Sequence, residues 1–355
     1  MSDSDQDTQA TADGDRNAAP NDKICDYPDL VLVVGPDKVR IDVDSHCIRH
    51  ASHVFSAMFK PPWMENAMLS NPNGPAELAL PEDNARAMYH VCCVMHHRND
   101  LIPRKMPARE VLQVAIVADK YDMCTALQYA ARGWLAMEYK GDLEGSPEKK
   151  KSLRKEDDVF QEAAILFSGH LLAAAFLFEE TLRFRIIGQR LMFDYWGSYA
   201  CMARSSLITD IIGPEIPLLL EERRSGFKAG IYEALLKLQR NTCWQCKYGI
   251  ARAKQYKTIL ASDCWNPVSL LKWSVSELVD EVGEAEPSEK IVQRDLSGRS
   301  QADCHHPTSF DVGDCSIDGT NDFNDRVDEL KFALRLSYRS TRKAQAAAAG
   351  GKEEE

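Results

Sequence analysis

The sequence predicts an α+β fold in which a small sheet opens the ordered part of the chain and helices supply most of the rest. Two observations lead to this prediction. Leu30–Val34 is an unbroken run of leucine and valine closed by Gly-Pro-Asp at 35–37, and the alternation of apolar and polar residues at 39–43 is typical of a strand with one buried face. Beyond residue 44, apolar side chains recur mostly at helical spacing.

The composition indicates an acidic protein with enough apolar residues for a core. Of the 355 residues, 44% are hydrophobic, and the formal net charge is −11. This charge disfavours nucleic acid as the main partner, because duplex binding depends largely on Lys and Arg. The acidic N-terminus carries no apolar signal segment, so we expect a cytoplasmic or nuclear protein whose eleven cysteines are thiols rather than disulfides.

Short elements are predicted between the first two strands and residue 135. Ser45 and Ser52 are expected to cap two short helices, the second of which places four apolar residues on one face. A strand at 77–80 then leads to a helix with Asp83 as the predicted N-cap. Two more helices are predicted, one beginning near Pro107 and one at 127–135.

Composition also divides the chain into segments. The predicted segments are a disordered acidic tail at 1–24, an α+β domain at 25–137, a charged linker at 138–158, a helical domain at 159–282, a polar loop at 283–322, a helix at 323–340 and a disordered tail at 341–355. Within the helical domain, the predicted helices are 159–184, 191–203, 227–238 and 269–282. The most apolar window, 163–178, falls short of the roughly twenty apolar residues that a bilayer needs, so no membrane span is predicted.

Five local blocks between residues 29 and 134 share one resemblance. They are Asp-Leu-Val-Leu-Val-Val-Gly at 29–35, Val-Asp-Ser at 43–45 with Ile48, Ser-His-Val-Phe-Ser-Ala-Met-Phe at 52–59, Leu-Pro-Glu-Asp at 80–83, and Ala-Asp-Lys-Tyr-Asp at 118–122 followed by Trp134. In this order they resemble the BTB/POZ domain, in the variety abundant in filamentous fungi. The helical region that follows resembles the C-terminal half that fungal members often carry.

The resemblance implies a scaffold or adaptor that binds protein partners and forms homo- or hetero-oligomers. The residues it nominates for partner contacts are Asp29, Asp44, Ser45, Phe55, Met58 and Phe59. In dimeric members of metazoan type, a basic residue pairs with the aspartate of the opening strand across the dimer interface. Here Ser45 stands at the basic position, so it cannot supply that partner to Asp29, and His53 stands where the family usually has proline.

Three hypotheses for the function follow. The sequence contains no phosphate-binding glycine loop, G-x-S-x-G, H-E-x-x-H or dinucleotide motif, so no catalytic residue is predicted. The first hypothesis is therefore a non-enzymatic interaction module. The second is a substrate adaptor of a cullin ubiquitin ligase, although residues 94–98 lack the apolar-x-Glu signature of that group. The third is a zinc-stabilised protein or small enzyme built on a C-x-x-C pair, with the candidate ligands Cys243, Cys246, Cys304 and His305.

Overall fold

The structure is a computed structural model, and it describes residues 23–60, 75–103, 105–137, 158–240, 254 and 256–284. Contacts divide the chain into two units. Among the described residues, the first unit comprises those of 23–137 together with 173–183, and the second comprises 158–172 and those of 184–284. The predicted linker up to residue 157, the polar loop beyond residue 284, the helix at 323–340 and the C-terminal tail lie outside the described residues.

Three strands of the first unit form one sheet. They are β1 at Leu30–Val34, β2 at Val39–Val43 and β3 at Ala76–Leu80. The strand order is β2-β1-β3, with β1 antiparallel to β2 and parallel to β3. One face of the sheet buries Leu32, Ile41 and Leu78, whereas the alternate residues of β2 and β3 are exposed. The predicted hairpin and the predicted α+β fold class are therefore confirmed.

The helices of the first unit follow the predicted order. They are α1 at Ser45–Ala51, α2 at His53–Met58, α3 at Ala85–Met95, α4 at Ala108–Lys120 and α5 at Gln128–Trp134, with a 3-10 turn at Asn99–Leu101. α3 and α4 each bury an apolar stripe in the core of the unit, as the spacing of apolar residues predicts, whereas α1 and α2 each bury one apolar side chain within the helix, Ile48 and Phe55. The end of the sixth helix and the start of the seventh, defined below, also belong to this unit.

Two of the predicted helix caps are wrong and one is confirmed. The N-cap of α1 is Asp44 and that of α3 is Asn84, each with a side chain that accepts a backbone N–H of the first turn. Ser45 and Asp83 do not cap, because their side chains make hydrogen bonds to other elements. Ser52 caps α2 as predicted.

The described part of the second unit is helical. Its elements, including the two helices shared with the first unit, are α6 at Asp158–Leu177, α7 at Thr181–Asp194, α8 at Ala200–Arg204, α9 at Ser206–Ile212, α10 at Glu215–Arg240, a 3-10 turn at Asp263–Trp265, α11 at Pro267–Leu270 and α12 at Val275–Glu284. Residues 256–260 are also helical.

The helix boundaries predicted for this region are less accurate than those of the first unit. The single helix predicted at 159–184 is wrong, because Glu179 adopts a positive φ of 62° and separates α6 from α7. The helix predicted at 227–238 is too short, since α10 begins at Glu215. Buried polar residues, Arg224 and Lys228, interrupt its apolar periodicity and hide its true length from the sequence.

Among the described helices, α6 is long and apolar enough to cross a membrane. Of its most apolar 18-residue window, 56% is buried within the protein. The core helix of a globular domain passes the same test of length and composition, so this feature is weak support for a membrane span.

Candidate protein-interaction site

The start of α1 is attached to the start of β1 by two hydrogen bonds between Ser45 and Asp29. The backbone N–H of Ser45 donates to Asp29 Oδ1 at 2.7 Å, and the Ser45 hydroxyl donates to Asp29 Oδ2 at 2.6 Å. Ser45 is buried, whereas Asp29 is exposed. Hydrogen bonds to an ionised carboxylate are stronger than those between neutral groups. The aspartate that the resemblance assigns to an intermolecular ion pair is therefore held by a serine of its own chain.

The N-cap residue of α1 is also attached to the end of α3. The backbone N–H of Asp44 donates to Nε2 of His96 at 2.9 Å. The other ring nitrogen of His96, Nδ1, lies 2.7 Å from the carbonyl oxygen of Cys92. Because a carbonyl can only accept, Nδ1 must carry the proton and Nε2 must be the acceptor, which assigns a neutral imidazole with a defined tautomer.

Three of the sequence blocks meet at Tyr121, which follows α4. The hydroxyl of Tyr121 donates to Asp83 Oδ2 at 2.5 Å, and its carbonyl accepts the Ser52 hydroxyl at 2.5 Å. Its ring stacks on Phe55 with the centroids 4.5 Å apart. Lys120 donates to the remaining carboxylate oxygen of Asp83 at 2.6 Å. These five residues form one connected group, the Tyr121 cluster, that fixes α2, the turn before α3 and the end of α4 to one another.

The structure separates the nominated contact residues into surface and core. Asp29 is exposed, and Asp44 and Met58 are half-buried. Phe55 is 0% exposed and Phe59 is 2% exposed. The two phenylalanines therefore stabilise the core beneath α2, and a partner cannot reach them in this conformation.

Lys23 and Ile24, in the segment that precedes β1, pack on the turn that follows α3. The Arg98 guanidinium, just after α3, donates to the carbonyl oxygens of Lys23 at 2.6 Å and Ile24 at 3.5 Å. Ile24 is buried. Arg98 therefore holds residues 23 and 24, the end of the predicted tail at 1–24, on the first unit. Residues 1–22 lie outside the described part of the chain.

The cysteines of the described residues are free thiols. Burial raises the pKa of the Cys25 and Cys47 thiols, and the neighbouring carboxylate of Asp44 raises the pKa of both further. Burial likewise raises the pKa of Cys92. Since the thiolate is the nucleophilic form, these three thiols are poor nucleophiles at neutral pH.

A cleft of about 260 Å³ opens beside the turn between β1 and β2. Its lining includes the exposed carboxylates of Asp37 and Glu82 and the side chain of Gln113 from α4. Asp83 also lines it, with both carboxylate oxygens engaged by the Tyr121 cluster. The cleft is therefore polar and acidic, and the only buried carboxylate in its lining is already neutralised by a partner.

A buried arginine organises the loop between α7 and α8 in the second unit. Arg224 is 4% exposed and donates to the carbonyl oxygens of Gly197 at 2.6 Å and Tyr195 at 3.3 Å. It also donates to the Glu221 carboxylate at 2.6 Å, and its guanidinium lies 4.4 Å from the ring centroid of Tyr199. Carbonyl dipoles, one carboxylate and an aromatic face together offset the desolvation of its charge.

One helical turn further along α10, Lys228 is buried as well. Its Nζ donates to the carbonyl oxygen of Leu270, the last residue of α11, at 2.9 Å. Burial, with a smaller contribution from the positive charge of Arg224, lowers the pKa of Lys228 to about 8. This amine therefore carries a positive charge at neutral pH at a cost in stability.

The four candidate zinc ligands, Cys243, Cys246, Cys304 and His305, lie outside the described residues. Within the part of the chain that the structure describes, no group of three or more His, Cys, Asp or Glu side chains is placed to hold a metal ion. The zinc hypothesis stays a prediction.

Sequence reasoning does not find several residues that hold this region together. His96 is visible in the sequence as one of two adjacent histidines, but nothing in the spacing shows that its ring faces α1. The partners of Asp83 lie 37 and 38 residues further along the chain, and no local pattern connects them. No family model, curated protein or solved structure matches the chain.

Proposed function

We propose that this chain is a non-enzymatic protein-interaction protein whose binding unit has a BTB/POZ-like fold. The observation that carries the proposal is the Tyr121 cluster. Its members come from three blocks by which the sequence resembles that family, and the Ser52 and Tyr121 blocks are joined across 69 residues. Blocks chosen only for their resemblance are thus neighbours in space, as residues that specify one fold are expected to be.

The sheet gives further support to the proposal. A β-hairpin followed by two short helices, a third strand and a run of helices is the order of elements that the resemblance implies, and the described elements have this order. This order places α1 between the opening strand and the end of α3, where Asp29 and His96 attach it from two sides. A surface that is already ordered loses less entropy on binding, which favours protein recognition at this position.

We place the partner surface on the outer side of α1. His46 and His50 are exposed there, and Arg49 is half-buried. All three are polar, so a partner surface with acidic or hydrogen-bond-accepting groups is the complement that fits.

The test is affinity purification of the full chain from its native cells, with chemical cross-linking and mass spectrometry. We expect a stable protein partner with cross-links near α1. The double substitution Arg49→Glu with His50→Glu should reduce recovery of that partner at least about tenfold, because a reversed charge at an interface opposes binding.

A matched control lies in the other unit. Lys237→Glu with Arg240→Glu reverses two charges at the exposed end of α10 and should leave recovery unchanged. The proposal fails if the protein is strictly monomeric by light scattering and recovers no partner. Equal loss of the partner from both double variants would move the surface away from α1.

A further inference from the structure

His96 connects two helices through hydrogen bonds that only a neutral imidazole can make. It is the C-cap residue of α3, and its Nδ1–H donates to the Cys92 carbonyl while its Nε2 accepts the backbone N–H of Asp44. A protonated imidazole carries an N–H on both nitrogens and has no acceptor. The contact between α3 and the N-cap of α1 therefore requires His96 to be unprotonated.

We propose that protonation of His96 releases the N-terminus of α1 from α3, which makes the attachment of α1 dependent on pH. With a proton on Nε2, two N–H groups face each other where a hydrogen bond stood. The backbone N–H of Asp44, the N-cap residue of α1, has then lost its acceptor, which weakens the first turn of α1.

Several other titratable or charged groups lie on the elements that meet at this contact. They are Asp44, His46 and Cys47 at the start of α1, Cys25, Asp29 and Asp42 from β2 and the segment before β1, and Cys92 and Arg98 from α3 and its C-terminal turn. The pKa values of the three thiols are raised, so these thiols stay uncharged in mildly acidic solution.

The release is local, because α1 keeps a second attachment. Asp29 still accepts two hydrogen bonds from Ser45, and neither bond involves a histidine. Ile48 remains 0% exposed in the core. We therefore expect the first turn of α1 to open more often in acid while the first unit stays folded.

The experiment is hydrogen–deuterium exchange of the full chain at pH 5.5 and 7.5, with rates corrected for the intrinsic effect of pH. In the wild-type protein, we expect protection of the amides of 45–51 to fall about tenfold at pH 5.5, which is the effect of about one hydrogen bond. Protection of α4 should not change. His96→Leu should show the lower protection of 45–51 at both pH values.

Two further variants isolate the titration. His96→Gln keeps an acceptor and a donor but cannot be protonated, so the pH response of 45–51 should disappear. His97→Gln replaces the exposed neighbouring histidine and should keep the full response. A pH response that persists in His96→Gln, or equal protection at the two pH values in the wild type, would overturn the proposal. Protection of α4 in every variant verifies that the unit is folded.

Discussion

One buried charged residue from each unit, Asp83 in the first and Lys228 in the second, is stabilised in a different way. In the first unit, the buried carboxylate of Asp83 meets a lysine and a tyrosine side chain, so its charge is paired. In the second unit, the buried Lys228 meets a backbone carbonyl, which offers a dipole but no charge. Pairing with an opposite charge offsets desolvation, whereas a dipole offsets less of it. The comparison teaches that Asp83 and Lys228 both fix irregular segments, but the charge of Asp83 is paired, whereas Lys228 is an amine whose pKa burial lowers to about 8.

The largest effect is expected from removing the paired carboxylate. Asp83→Ala leaves the Tyr121 hydroxyl and the Lys120 amine without their acceptor, and we expect a loss of about 3 kcal/mol in the local stability of the first unit. Lys120 is partly exposed, which keeps the loss from being larger. The measurement is the free energy of opening of α4 from hydrogen exchange. Glu82→Ala, at the exposed neighbouring position, is the control and should change little.

The first unit also contains a buried base without a counter-charge. His90 in α3 is 2% exposed, and its ring nitrogens have no hydrogen-bond partner among the described residues. Burial lowers the pKa of His90 to about 4, with a smaller contribution from the charge of Arg86. The unfolded chain therefore binds this proton more readily than the folded one, and stability falls as the pH drops from about 6.5 towards 4.

This group should destabilise the first unit by about 2 kcal/mol between pH 7 and pH 5, and by about 3 kcal/mol at pH 4. His90→Leu should remove that part of the acid sensitivity. The measurement is the opening free energy of α3 at several pH values, with the exposed His50→Gln as the control. An unchanged slope in His90→Leu would show that His90 is hydrated or paired in solution.

The second unit should respond in the alkaline range instead. The pKa of Lys228 is about 8 in the folded protein and about 10.5 when unfolded, so stability rises with pH through this window. We expect a gain of about 2 kcal/mol between pH 7 and 9.5 from this group. Lys228→Met should abolish the gain and stabilise α10 at neutral pH. Lys237→Met, on the exposed face of the same helix, should leave the slope unchanged; a slope that survives Lys228→Met would contradict the comparison.

The contrast between the units also explains how much of the fold could be predicted. The strands of the first unit are short, β1 and β3 end at proline-containing turns, and β2 and β3 alternate with period two, so the sequence predicts their bounds closely. In α10, the buried face carries Arg224 and Lys228, and these polar residues break the apolar pattern by which a helix is recognised. The local sequence pattern thus predicts an element well where apolar residues are buried and polar residues are exposed. It predicts an element poorly where charged residues are buried.

The candidate site was predictable only in part, for a related reason. The blocks that contain Ser52, Asp83 and Tyr121 can be quoted from the sequence, but their contacts depend on long-range packing. Ser45 shows this most clearly. As a residue type it suits an N-cap, and the structure instead turns its hydroxyl to Asp29, sixteen residues earlier, leaving the cap to Asp44.

The smallest expected effects come from two glycines, one in each unit, with opposite signs. Gly35 has a φ of +75°, and a Cβ added there would lie 3.2 Å from the Asp83 carbonyl oxygen. Gly35→Ala should therefore cost about 1 to 2 kcal/mol, the usual penalty for a side chain in the left-handed region. Gly226 lies inside α10 with no atom within 4 Å of an added Cβ. Gly226→Ala should instead stabilise α10 by up to about 1 kcal/mol, because alanine favours the helix more than glycine. The opening free energies of α4 and α10, from hydrogen exchange, measure the effects of Gly35→Ala and Gly226→Ala respectively. A stabilising Gly35→Ala would show that the turn between β1 and β2 shifts to accommodate the added Cβ beside the Asp83 carbonyl oxygen.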